Sequence, residues 1–162
     1  MSTSAGGQRA SWGVFGATAP DLSEQVKAAF ERDGQPFGYL ATLRPDGAPR
    51  VHPVTPMITS GGLFCMVLPP GHSPGEHYVT ARDLQRDGRY ALHAGKTGDA
   101  DAEACLAGWA MPVATPRHAT FARAQRGGLA EGQLFEFTIA LAIVTRRDPA
   151  GSRASQVVWR PP

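Results

Sequence analysis

Residues 37–54 read FGYLATLRPDGAPRVHPV, and the fold turns on how this stretch is read. From Phe37 to Leu43 the chain follows the period of two shown by a half-buried strand, in which successive side chains point to opposite faces. RPDG interrupts it: Pro45 presets φ for the first central position of a turn, and Gly47 takes positive φ without a Cβ clash. APRVHPVTPMI then returns to extended chain, so the stretch predicts a β-hairpin. Arg50, His52 and Val54 share one face of its second strand. Pro49, Pro53 and Pro56 have no N–H to give a ladder, which bulges that strand or puts it partly at a sheet edge, with backbone groups left for a ligand.

Outward from the hairpin, SGG at 60–62 turns the chain into LFCMVL, which makes three antiparallel strands in sequence. On the other side, DLSEQVKAAFERDG places Leu22, Val26, Ala29 and Phe30 on one helical face. Asp21 and Glu24 stand at capping-box spacing, and Gly34 suits the position after the helix. Residues 1–18 are small and polar, with Trp12 and Phe15 as their large apolar anchors. They read as a loose arm before a domain at 19–162. After the loop PPGHSPGEH, Thr80 followed by Asp83 marks a helix start, and Gly88 its end before the strand RYALHA. AEACLAGWAMPVA reads as another strand, and Thr115 with Pro116 opens a helix to Arg126. LFEFTIALAIVT puts Phe135, Phe137, Ile139, Leu141 and Ile143 on one face, and SQVVWR forms a last strand. Seven strands with three short helices predict a mainly β fold, an antiparallel sheet closing into a barrel.

The 162 residues suffice for one domain, and 42% hydrophobic content makes it globular. Sixteen Lys and Arg against fourteen Asp and Glu leave +2, too little for a general nucleic-acid or anionic-membrane field. No apolar run approaches the ~20 residues of a membrane span, and no signal peptide is visible, which predicts a cytoplasmic protein. Cys65 and Cys105 sit in strand-like runs without metal spacing and read as buried small side chains. His72, Glu76 and His77 lie in a Gly/Pro loop with no third ligand nearby, so no metal is expected. His93 reads as a core histidine. No spacing of Ser, His and Asp, phosphate loop or carboxylate pair names a catalytic acid or base.

Taken in order, FGYLATLRPDGAPRVHPV, ARDLQRDGRYALH, AGWAMPVATP, LFEFTIALAIVTRR and VVWRP resemble the flavin-binding split β-barrel family that includes pyridoxamine 5'-phosphate oxidase, over about residues 22–160. The resemblance implies a flavin mononucleotide cofactor, or a deazaflavin coenzyme in a close variant, in an oxidoreductase acting on a small molecule. It also implies a homodimer with a shared cofactor site. A binding protein for haem or flavin on the same scaffold is the rival. Arg50 matches the position that reaches the flavin phosphate. His52 and Val54 would lie beneath the ribityl chain and ring, with backbone hydrogen bonds around Pro53. Thr80 stands where the family usually has Lys, so Arg82, in the first turn of the helix, becomes the expected main phosphate ligand. The chain also has Pro69 and Pro70 where the family tends to have Ser or Thr. Trp159 matches an aromatic near the active-site mouth, and it equally suits a barrel-closing position.

Overall fold

The computed structural model describes residues 8–67, 77–94, 102–114, 133–147 and 154–162. Two helices come first, α1 (Trp12–Thr18) and α2 (Pro20–Ala29), then a small hairpin of β1 (Glu31–Arg32) and β2 (Gln35–Pro36). The hairpin expected from the RPDG turn follows as β3 (Gly38–Leu43) and β4 (Pro49–Val54). Its register runs from Gly38↔Val54 to Leu43↔Pro49. Gly47 takes φ 83° and donates its N–H to the Arg44 carbonyl at 2.9 Å. Beyond it lie β5 (Pro56–Thr59), β6 (Gly62–Val67), α3 (His77–Arg86), β7 (Arg89–Ala94), β8 (Ala102–Pro112), β9 (Gln133–Arg147) and β10 (Ala154–Trp159). The main sheet is antiparallel in the order β4-β3-β7-β8-β9-β6-β5, with β10 also on β9. It curls around a core that includes Phe30, Leu40, Leu92, Leu106, Phe135 and Phe137. No helix among the described residues is long and apolar enough to cross a membrane.

β9 organises the sheet. One of its edges pairs throughout with β8. The other is shared: β6 takes Gln133 to Glu136, and β10 takes Ala142 to Arg147. Between them Ala10 bridges Ile139, donating to its carbonyl at 2.9 Å and accepting from its N–H at 2.7 Å. The N-terminal segment thus satisfies backbone groups that the divided edge would otherwise bury unpaired.

Several expectations change here. Instead of a loose arm, residues 12–18 form a helix capped by Ser11, whose Oγ accepts from Val14 N. Trp12 and Phe15 are both buried in the core. Helix α2 begins at Pro20 with Ala19 as its cap and ends at Ala29. Asp33 and Gly34, with φ 51° and 73°, form the turn between β1 and β2, and positive φ at both central residues is what a tight hairpin requires. The run 48–58 breaks at Thr55 into β4 and β5, which lie at opposite ends of the strand order, so β6 pairs with β5 and not with β4. The prolines do stand on edge strands, where a missing donor costs nothing. Gly88 has no left-handed φ and does not cap α3. It lies beneath Trp109 and Ala110, where an added Cβ would come within 2.4 Å of the Ala110 carbonyl oxygen. The helix expected at 115–126 lies outside the described residues.

The predicted single face of β9 also divides. Ala107 pairs with Leu141 but Gly108 with Ile139, so Ala140 is an extra residue on β9. A one-residue bulge reverses the faces of all that follows. Phe135, Phe137 and Ile139 point into the core, as do Ala142 and Val144, while Leu141 and Ile143 are turned outward. Gly108 permits the close crossing, since a Cβ there would fall 1.9 Å from the Thr138 carbonyl oxygen. Gly108→Ala is therefore expected to destabilise by about 1–3 kcal/mol or more, the cost of overpacking against rigid backbone, read as a lowered denaturation midpoint.

Candidate cofactor site

Along β4 the side chains alternate as the hairpin requires: Arg50, His52 and Val54 turn inward, while Val51 and Pro53 are exposed on the outer face. Helix α3 packs over this inner face and presents Asp83, which is only 1% exposed. Arg50 Nε donates to Asp83 Oδ2 at 2.8 Å. Thr42 stands directly across the hairpin from Arg50, and its hydroxyl donates to the same oxygen at 3.4 Å. Arg86 Nη1 donates to Oδ1 at 3.1 Å, and its Nη2 reaches the Leu43 carbonyl. One buried carboxylate is thus shared by two guanidinium groups, and both of its oxygens are satisfied. Burying that charge is tolerable because it is paired and hydrogen-bonded. Two cations against one anion leave the cluster at net +1.

No protein-family model matches the chain, and none of the curated proteins does. Solved structures do. A Clostridium acetobutylicum protein related to general stress protein 26 of B. subtilis, of the pyridoxinephosphate oxidase family, superposes with TM-score 0.56 at 12% identity, covering 91% of this chain and 95% of that one. PhzG from Burkholderia lata, in complex with tetrahydrophenazine-1-carboxylic acid, gives 0.58 at 11%, covering 90% and 91%. A heme binding protein from Mycobacterium smegmatis gives 0.54 at 18%, covering 82% of this chain, which spans 57% of the length of that chain. The fold is that of the pyridoxamine 5'-phosphate oxidase-like split β-barrels.

Within this split barrel the expected site residues separate into groups. Arg50, His52 and Val54 share the inner face as predicted, and His52 is buried there at 4% exposure. Pro53 points the opposite way. Thr80 and Asp83 do not open a helix: α3 starts at His77, so both lie inside it. Arg82 therefore gains nothing from the first turn, where alone the helix dipole is felt, and its side chain is exposed. Thr80 is 1% exposed, and its hydroxyl has no hydrogen-bond partner among the described residues. Trp159 is half-buried on the core with its ring 4.6 Å from that of Phe15, a barrel-closing position. His93 is exposed on the outer face, contrary to the core histidine expected. Cys65 is buried, which pushes its thiol up to about 12, and burial also raises the half-buried Cys105. No cluster of metal ligands occurs among the described residues, while His72 and Glu76 lie outside them.

Asp83 as the partner of Arg50, with Thr42 and Arg86 around it, was missed by sequence reasoning. Two signals were available. Thr42 and Arg50 lie at mirrored distances from the RPDG turn, which makes them cross-strand neighbours, and Asp83 and Arg86 have the i, i+3 spacing of a helical ion pair. Hollows of about 220 and 310 Å³ lie elsewhere, between α1, α2 and β5, and are lined in part by Lys27 and Ile58. They do not include Arg50, His52 or Asp83.

Proposed function

We propose that this chain binds a flavin-type cofactor, flavin mononucleotide or a deazaflavin coenzyme, at the inner face of the β3–β4 hairpin, and acts as an oxidoreductase on a small molecule. One observation carries the reading. Asp83 holds Arg50 through Nε, while the terminal Nη nitrogens make no hydrogen bond among the described residues. A guanidinium held in this way keeps donors available for an anion, with little further ordering needed when the anion arrives. The residues present therefore fit the phosphate of a flavin through Arg50, and not through a helix N-terminus. When bound, a flavin supplies hydride or electron transfer through its ring. The chain's part is to hold the anionic tail with Arg50, and to keep Arg50 in place with Asp83 and Thr42.

A non-catalytic haem- or flavin-binding protein is the second reading. It is favoured by Thr80, a neutral residue where a phosphate site would gain from Lys, and by the Mycobacterium smegmatis neighbour, a heme binding protein. Haem also carries anionic groups that Arg50 suits, so the charged cluster alone does not separate the two.

Titration with flavin mononucleotide, the deazaflavin coenzyme and haem, followed by absorbance and thermal shift, tests the proposal. Binding of either flavin is expected. Arg50→Ala should weaken flavin mononucleotide by about 1.5–3 kcal/mol, the range for a hydrogen bond to a charged group, and leave riboflavin, which lacks the phosphate, unchanged. Arg82→Ala should have the smaller effect. Haem binding without response to either flavin overturns the oxidoreductase reading in favour of the second.

A further inference from the structure

The two hollows beside α2 are not used by the cofactor reading. The smaller, of about 220 Å³, is walled by Phe30, Pro36, Pro56 and Ile58, and Lys27 and Glu31 also line it. The larger, of about 310 Å³, adjoins it at Lys27 and Ile58 and adds Glu24, Thr59 and Ser60. Three separate parts of the fold supply the smaller one: the end of α2, the β1–β2 hairpin and β5. Glu31 is paired in register with Pro36, which sets a carboxylate beside an apolar ring at the rim. Lys27 lies in the last turn of α2, at the end where the helix carbonyls give partial negative charge. Glu24, Lys27 and Glu31 are all exposed. They make no ion pair among the described residues, although Lys27 stands at the sequence spacings from both carboxylates at which helical side chains meet.

We propose that the smaller hollow binds a free α-amino acid with an apolar side chain. The inference goes beyond the cofactor reading and does not depend on it. Two carboxylates and one ammonium leave the rim at net −1, which disfavours a simple anion, while Lys27 disfavours a simple amine. A ligand that carries both charges on one carbon meets each with its opposite. Its carboxylate faces Lys27 and its ammonium faces Glu31, beside the C-terminal end of α2, which also favours a cation. Its side chain then enters between Phe30, Pro36, Pro56 and Ile58, where removal of apolar surface from water stabilises the complex. Two of these walls are prolines, which have little side-chain freedom to lose when the ligand arrives. A peptide end presents only one of the two charges next to its terminal side chain, so it leaves either Lys27 or Glu31 without a partner. The size agrees with this choice: the hollow lies below the range of roughly 300–1,000 Å³ that holds drug-sized ligands, and it suits a molecule as small as one amino acid.

The test is calorimetric titration of the purified protein with L-phenylalanine as the probe, and with phenethylamine and 3-phenylpropionate, which lack its carboxylate and its ammonium. No flavin or haem is added, so the outcome is separate from that of the cofactor titration. L-Phenylalanine is expected to bind with a dissociation constant of about 1 mM or lower, the range for a ligand of so few atoms. Each analogue should bind about 5-fold or more weakly, the factor for one exposed charge pair. Lys27→Met should weaken L-phenylalanine by about the same factor and should not weaken phenethylamine. Glu31→Gln should likewise weaken L-phenylalanine and should not weaken 3-phenylpropionate. Both residues are exposed, so neither change disturbs the fold. Absence of L-phenylalanine binding at about ten times the expected dissociation constant overturns the proposal. So does an analogue that binds as tightly as the amino acid, or a Lys27→Met variant that binds the amino acid as tightly as the parent protein.

Discussion

Asp83→Ala is expected to cost about 3–5 kcal/mol of folding stability, the range for removing one partner from a buried ion pair. The variant leaves Arg50, with 17% of its side chain exposed, without its carboxylate. It also removes the acceptor for Thr42 and for Arg86 Nη1. Three donors would lose one acceptor group together, so the effect belongs to the cluster and does not divide into pair energies. Asp87→Ala supplies the contrast. Its pair with Arg89 is shorter, at 2.5 Å, but the Arg89 side chain is 64% exposed, and surface pairs contribute little. The Arg89 hydrogen bond lowers the Asp87 carboxyl, so its small stabilisation is present above the ordinary carboxylate range and fades as acidity rises through the lowered value. Urea denaturation of both variants at neutral pH checks the comparison. An Asp83→Ala loss as small as that of Asp87→Ala would show that the cluster does not hold α3 to the hairpin.

Phe15→Ala should be comparably severe, at about 3–5 kcal/mol, the usual range for deleting a buried phenyl ring. Phe15 is fully buried. Its ring lies 5.4 Å from Trp12, edge to face, and 4.6 Å from Trp159, so it joins the first helix to the last strand. A loose arm would tolerate the same change with almost no effect, which makes the measurement decisive about how this segment contributes. Denaturation followed by tryptophan fluorescence reports it directly, because both neighbouring rings are indoles. A change below about 0.5 kcal/mol, the level of an ordinary surface substitution, would mean that the first helix is not part of the core.

The residues themselves determined whatever depends on near neighbours in the chain. Gly47 specified the hairpin turn because few residues accept its positive φ, and the prolines confined β4 and β5 to sheet edges because they lack a donor. Alternation placed Arg50, His52 and Val54 on one side, since a strand has only two faces. Only the tertiary structure decided the rest. A helix of seven residues has no stability alone, so α1 exists because Trp12 and Phe15 find the barrel interior. The inserted Ala140 cannot be seen in an apolar run that is plausible on either face; it is set by how β9 must bend along β8, where Gly108 meets Thr138. Asp83 could cap a helix or pair with a cation on local grounds, and it was the docking of α3 on the hairpin that put Arg50 within 2.8 Å of it. Local sterics act over a few residues, whereas burial, bulges and ion pairs depend on which distant segments the whole chain brings into contact.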